Sequence, residues 1–347
     1  MAGENAPALR ETEEDDAPLR LKDLEFTDLY ISERGDAFMR GLIDIEDPLY
    51  PIEDGLIDDL HKVKLKVTER GQAENEFTID HDEVRYRVSK IRDEREPTYV
   101  LRRAMYPIPA LKSFNLNPLV VQALGQVGNN KARGLILFSG PTGHGKTTTA
   151  GALLQAYLRN YGGVAICIED PPELFLSGRH GKFGVCYQIR VENGDFATPL
   201  RQAMRQAPRY IFLGEIRDAE SAAEALQACN SGHVVIATTH AGSISEAINR
   251  MMKLVSSKLD PDLARSLLAD GLSVVINQRL ERAKDREGKI RRVLTAQTLF
   301  FGEDAGLRAK VRDDKIVQIA SDIEQQAMKI ANQKSPLMTG GTQRSER

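Results

Sequence analysis

The chain of 347 residues has no tryptophan, only three cysteines, and aromatic residues at 6%. Three cysteines without metal-ligand spacing exclude a disulfide framework and a cysteine-built zinc site. Cys167, Cys186 and Cys229 are therefore expected to be buried thiols of a cytosolic protein. No apolar run approaches the roughly 20 residues of a membrane span, so a membrane role would have to be peripheral. The apolar core of a signal peptide is missing as well. The net charge is −3, and no basic stripe is interleaved with aromatics, so direct contact with nucleic acid is not expected. What is present, 41% hydrophobic and 28% charged residues, is the composition of a globular chain long enough for two domains.

The organisation is legible in outline. Residues 1–20 are acidic and poor in large apolar side chains, and read as a disordered tail. Residues 21–105 read as a small α+β domain, with strands over 26–31 and 84–88 and an amphipathic helix over 56–65. Tyr106-Pro107-Ile108-Pro109 is stiff and turn-forming, which suggests a linker at 106–112. From 113 to about 280 strands and helices alternate, implying a mainly parallel sheet flanked by helices. The part at 281–330 is charged and reads as helical with one short β element near Val293. Residues 331–347 are polar and read as a second disordered tail.

Gly140-Pro141-Thr142-Gly143-His144-Gly145-Lys146-Thr147 fits the phosphate-binding loop G-x-x-x-x-G-K-[ST]. Its glycines let backbone N–H groups converge on phosphate oxygens. Lys146 can reach the β- and γ-phosphates, and the Thr147 hydroxyl can ligate Mg²⁺. The apolar run before the loop reads as a buried strand. The segment from Thr147 through Thr148 to Arg159 reads as a helix whose N-terminus adds positive potential. ATP with Mg²⁺ is the expected ligand pair.

Four strand candidates, at 134–139, 164–168, 210–213 and 233–238, each run into polar residues at the carboxyl end, where open parallel sheets bind ligands. The first meets the phosphate loop, the second Glu169-Asp170, the third Gly214-Glu215 and the fourth Thr239-His240. Lys146, Thr147, Glu169, Glu215 and His240 are thus expected on one rim. Glu215 after an apolar strand can hold the metal, directly or through water, and Glu169 is a second candidate to orient the attacking water. His233 and His240 lie seven apart, which in a strand puts them on opposite faces and excludes a paired metal site.

With these motifs in this order, the chain resembles the secretion-superfamily ATPases that drive type IV pili and type II and type IV secretion. Ile168–Glu173 resembles the family's Asp box, Leu213–Asp218 its atypical Walker B element and Gly232–His240 its His box. The resemblance implies a RecA-like P-loop domain at 113–330 with a helical C-terminal part, preceded by a smaller PAS-like α+β domain at 21–105. Glu169 then looks like the general base, Glu215 the Mg²⁺ or Mg²⁺–water ligand, and His233 and His240 the His-box pair. Thr27–Ile31 and Arg85–Val88 resemble two PAS-like strands, and Arg85, Arg87 and Arg102 resemble the arginines lent to a neighbouring subunit's nucleotide. A homohexamer is implied, with the nucleotide between the two domains. It would sit in the cytoplasm at the inner face of the bacterial inner membrane, held by platform or secretion-channel proteins. The branches most resembled are the pilus-retraction motors, through Gly306–Lys315, and the type IVB secretion and conjugative-plasmid motors, through Ala207 and Arg209. One departure is specific to the loop: His144 stands where serine is usual, placing an imidazole near the phosphates. A RecA-like nucleic-acid translocase and a non-hydrolysing nucleotide switch are the competing classes.

Overall fold

The computed structural model describes residues 19–337, leaving out 25, 43–48, 53, 105–106, 130–132 and 285–289 and the side chains at 54 and 282–292. Most of the acidic N-terminal tail and residues 338–347 lie outside the described residues. The chain divides into two compact units, up to Ala104 and from Met105 onward.

The first unit contains β1 (Asp28–Ser32), β2 (Ala37–Arg40), β3 (Tyr50–Pro51), α1 (Ile57–Arg70), β4 (Glu76–His81), β5 (Val84–Arg92) and β6 (Pro97–Arg103). The strands form an antiparallel sheet in the order β3-β2-β1-β6-β5-β4. The helix reads off its spacing: Leu60, Val63 and Val67 recur at helical intervals and are buried among Phe77, Ile79, Tyr86 and Leu101. Ile57 and Leu65, both counted in the apolar pattern, are exposed instead. Period-two alternation in β5 buries Val84, Tyr86 and Val88 and turns Arg85 and Arg87 to the other face.

Within this core, Asp59 of α1 joins three elements. Its carboxylate accepts from the Leu21 N–H at 2.8 Å and lies 2.7 Å from His81 Nε2. Burial works to raise the Asp59 pKa, but the Leu21 and His81 hydrogen bonds and nearby positive charge outweigh it and lower the pKa. A carboxylate with a lowered folded-state pKa stabilises the fold above its unfolded value, and that contribution disappears as pH falls through the folded value. Asp59→Asn should therefore lower the melting temperature by a few degrees at pH 7, consistent with about 1–3 kcal/mol for a charged hydrogen bond. The gap to wild type should close in acid below about pH 3.8; a gap independent of pH would remove the charge from the explanation.

The second unit is built on a mixed sheet. Its elements are α2 (Pro118–Val127), β7 (Gly134–Ser139), α3 (Lys146–Tyr161), β8 (Gly163–Glu169), β9 (Gly178–His180), β10 (Gly184–Arg190) and α4 (Ala197–Met204). There follow β11 (Tyr210–Leu213), α5 (Ala219–Asn230), β12 (Val234–Thr239), α6 (Ile244–Ser256), α7 (Pro261–Gly271), β13 (Leu272–Lys284), β14 (Ile290–Phe300), α8 (Ala305–Arg312) and α9 (Ile319–Ala331). The order is β14-β13-β7-β12-β11-β8-β10-β9, parallel from β13 to β10 and antiparallel at both ends. Each face carries its own core, so β7, β11 and β12 are buried along their whole length. The cysteines are free and buried, with Cys167 Sγ 3.3 Å from Cys186 Sγ on the neighbouring strand.

Three expectations need correction. The segment expected to be a linker at 106–112 contributes Ile108 and Leu111 to the second unit's core. The proposed C-terminal tail begins too early, because Leu337 packs against that same core. The charged stretch at 281–330 is helical only in its later part, α8 and α9; its first part is not a short β element but the outer half of one long antiparallel pair, β13 with β14, from Val274↔Phe300 to Lys284↔Ile290. The reason is geometric. β7 accompanies β13 only as far as Asn277, and beyond it the pair projects past its sheet neighbour, where the apolar pattern of a buried strand is no longer imposed.

Candidate functional site

The phosphate loop hangs from the carboxyl end of β7. Gly140, at φ +146°, lies against β13 so closely that a Cβ there would stand 2.3 Å from the Gln278 carbonyl oxygen. Gly145, at φ +74°, takes the left-handed conformation that starts α3. The first turn of α3 carries Lys146, Thr147 and Thr148, with its unsatisfied N–H groups directed back into the loop.

Lys146 is 7% exposed. Its Nζ donates to the Gly140 and Pro141 carbonyls, both at 2.9 Å, and lies 3.3 Å from His240 Nδ1. An ammonium has only donors, so His240 Nδ1 accepts and the imidazole carries its proton on Nε2. That nitrogen is 3.1 Å from Glu215 Oε1, and Glu215 Oε2 accepts from Arg217 Nε at 2.8 Å. The Thr142 hydroxyl also lies 3.4 Å from His240 Nδ1. The phosphate-loop lysine and the acid after β11 are thus joined through one imidazole. Burial lowers the Lys146 pKa, and the charges of Glu215 and Glu173 counter part of that.

Glu169 ends β8 and is 1% exposed. Its Oε1 accepts from Gln188 Nε2 at 3.0 Å, and Oε2 lies 3.4 Å from the Glu173 N–H. A Cβ on Gly214 would come within 3.2 Å of the Glu169 side chain, so the residue before Glu215 must be small for the two acids to adjoin. Lys146, Glu169, Glu215 and His240 therefore gather at the carboxyl rim, with Thr147 beside them. Hard oxygen donors from Thr147 and Glu215 suit Mg²⁺. Among the described residues, the rim also holds two buried polar atoms without a hydrogen-bond partner, Thr239 Oγ1 and Gln278 Oε1.

His233 is not brought to this rim. It precedes β12 at the amino end, with Nδ1 2.7 Å from the Pro208 carbonyl oxygen, a full strand length of about 20 Å from His240. Arg85, Arg87 and Arg102 belong to the first unit, where Arg87 and Arg102 are cross-strand partners and Arg85 shares their face. Asp80 holds Arg85 at 2.8 and 3.0 Å, and Asp28 holds Arg102 at 2.8 Å.

Sequence reasoning missed Gln188. Its amide donates to Glu169 and to the Leu174 carbonyl, and its Oε1 accepts from the Leu176 and Ser177 N–H groups. One side chain thereby fastens the segment after β8 and orients the acid. A polar amide within the apolar strand Gly-Val-Cys-Tyr-Gln-Ile-Arg was the available signal. Gln188→Leu should lower kcat about tenfold with KM for ATP within about twofold, since an orienting contact and not a nucleotide contact is lost. Steady-state kinetics decide this, and an unchanged kcat would leave Gln188 as a loop fastener only.

Residues 70–334 match the family described as Type II/IV secretion system protein, which is most of the chain. The chain belongs to that family. Among curated relatives, a twitching motility protein of Neisseria gonorrhoeae is 28% identical over 69% of this chain and 61% of its own length. The type IV pilus retraction ATPase PilT of Pseudomonas aeruginosa is 29% identical over 78% of this chain and 75% of its own. A solved structure of the pilus retraction motor PilT with bound ADP covers 92% of both chains at TM-score 0.72 and 26% identity. The Legionella pneumophila ATPase DotB covers 88% of both at TM-score 0.65 and 21% identity, a likeness of fold. The fold of this chain, an N-terminal domain followed by a RecA-like domain, is the fold it shares with these solved structures. No helix among the described residues is long and apolar enough to cross a membrane.

Proposed function

We propose that this chain hydrolyses Mg²⁺-ATP as one subunit of a homohexameric motor at the cytoplasmic face of a bacterial inner membrane. The motor would power a retraction-type type IV pilus or a type IVB secretion or conjugative apparatus, docking on inner-membrane platform or channel proteins. The observation that carries the reading is the Lys146–His240–Glu215 connection, closed on one side by the glycine loop and flanked by the buried Glu169. Lys146 and the N–H groups of the loop bind the phosphates. Glu169, fixed by Gln188, accepts the proton of the attacking water. Thr147 and Glu215 would hold Mg²⁺, which supplies positive charge to the phosphoryl oxygens. His240 donates from Nε2 to Glu215 and so transmits to it any displacement of Lys146.

Arg85, Arg87 and Arg102 form a basic stripe on one face of the first unit's sheet, steadied by Asp80, Glu76 and Asp28. We assign this stripe to the nucleotide of a neighbouring subunit, where added positive charge lowers the barrier. Two measurements test the reading together. Specific ATPase activity should climb with protein concentration as rings assemble, and Arg87→Ala should lose about 100-fold or more of it while still binding Mg²⁺-ADP. Concentration-independent activity that survives Arg87→Ala would overturn the shared site. Deletion in the native host separates the machines: excess surface pili mark retraction, whereas normal pili with lost transfer mark secretion.

A further inference from the structure

β13 outruns its neighbour. β7 ends at Ser139, opposite Asn277, but β13 continues to Lys284. Past Asn277 no strand among the described residues bonds the edge of β13 that faced β7. Alternate residues keep pointing that way: the Ile276 carbonyl accepts from the Ser139 hydroxyl at 3.2 Å, the Gln278 carbonyl lies against Gly140, and the Leu280 N–H donates to His144 Nδ1 at 2.9 Å. The Gln278 amide, on a fully buried side chain, donates to the His144 carbonyl at 2.6 Å. His144 is therefore gripped through its ring and its backbone by residues far downstream. The imidazole expected beside the phosphates has its Nδ1 committed to β13, and the residue that distinguishes this loop fills the gap left where β7 stops.

We infer that His144 is a positioning residue, and that the overrun of β13 is a splint holding the middle of the phosphate loop in its binding conformation. The splint acts on nucleotide without touching it. Ordering a glycine-rich loop costs backbone conformational entropy, and a loop ordered in advance saves part of that cost on binding. The contact needs an acceptor at the position of Nδ1. Phenylalanine at 144 retains the bulk without the acceptor, and asparagine retains the acceptor with less bulk, because its Oδ1 can take the place of Nδ1.

The inference rests on the nucleotide-binding reading, so the test begins with wild type. Calorimetric titration of the full-length protein with Mg²⁺-ADP should show binding. His144→Phe should bind about tenfold more weakly, which corresponds to about 1.4 kcal/mol. His144→Asn should recover most of the loss, to within about threefold of wild type, with kcat at saturating ATP altered less than Kd in both variants. If His144→Phe fails to give a cooperative melt, His144→Ala replaces it with the same expectation. Equal weakening by both variants, or none, overturns the splint while leaving nucleotide binding intact. Failure of wild type to bind Mg²⁺-ADP overturns the nucleotide reading and the splint with it.

Discussion

Lys146→Ala is expected to bring ATP turnover down by at least about 10²–10³-fold, the scale of removing one donor aimed at charge that develops in the transition state. Two losses combine in that variant. The first is direct, because the ammonium that would contact the transferring phosphoryl group is gone. The second runs through His240. With Nζ absent, Nδ1 loses the donor that keeps the ring proton on Nε2, and the 3.1 Å contact with Glu215 is no longer held in one tautomer. The affected lysine is almost fully buried, so the variant should be checked by thermal melt before its Mg²⁺-dependent phosphate release is compared with wild type. Turnover at the wild-type rate would refute the reading of the glycine loop.

Glu215→Gln is expected to separate binding from chemistry. Glutamine keeps an oxygen for Arg217 or His240, so the local hydrogen bonds survive in part while the charge does not. Calorimetry should find Mg²⁺-ATP binding within about tenfold of wild type, and hydrolysis should fall by about 10²–10³-fold. The variant also has a signature at Lys146. Burial already pulls that lysine's pKa down, and Glu215 is the leading counterweight. Removing the carboxylate lowers the pKa further, so ATP affinity should begin to decline at a less alkaline pH than in wild type, because the neutral amine forms earlier as pH rises. Hydrolysis at the wild-type level would strip Glu215 of its assigned role, and an unshifted alkaline limb would detach it from Lys146.

The parts of the molecule that sequence made legible share a physical property: they are encoded locally. β7 and β11 occupy the residues read from their apolar runs, because a strand buried on both faces has to be apolar throughout. The acids and the histidine at the rim follow directly from those strands ending where they do. What escaped is made by residues distant in sequence. Gln188 meets Glu169 across two strands, and Gln278 and Leu280 meet His144 from beyond the end of β7. Residues 281–300 read as helical but for a short β element near Val293, because the outer part of the β13–β14 pair has no third strand beside it to impose an apolar pattern. Ile108 and Leu111 escaped for another reason, since prolines that signal a turn say nothing about whether the turn is buried.

The position of β7 carries a consequence for how the protein comes into being. The strand that bears the phosphate loop emerges from the ribosome at residue 139, yet its pairings with β12 and β13 are complete only at Thr239 and Asn277. Both pairings close long loops, which makes them slow to form and last to be rewarded. A nascent chain can therefore fold its first unit, whose strands pair nearby in sequence with one exception, β1 with β6, long before it owns a working phosphate loop. Nucleotide, binding only after β13 has arrived, would favour the finished second unit over every partly made one.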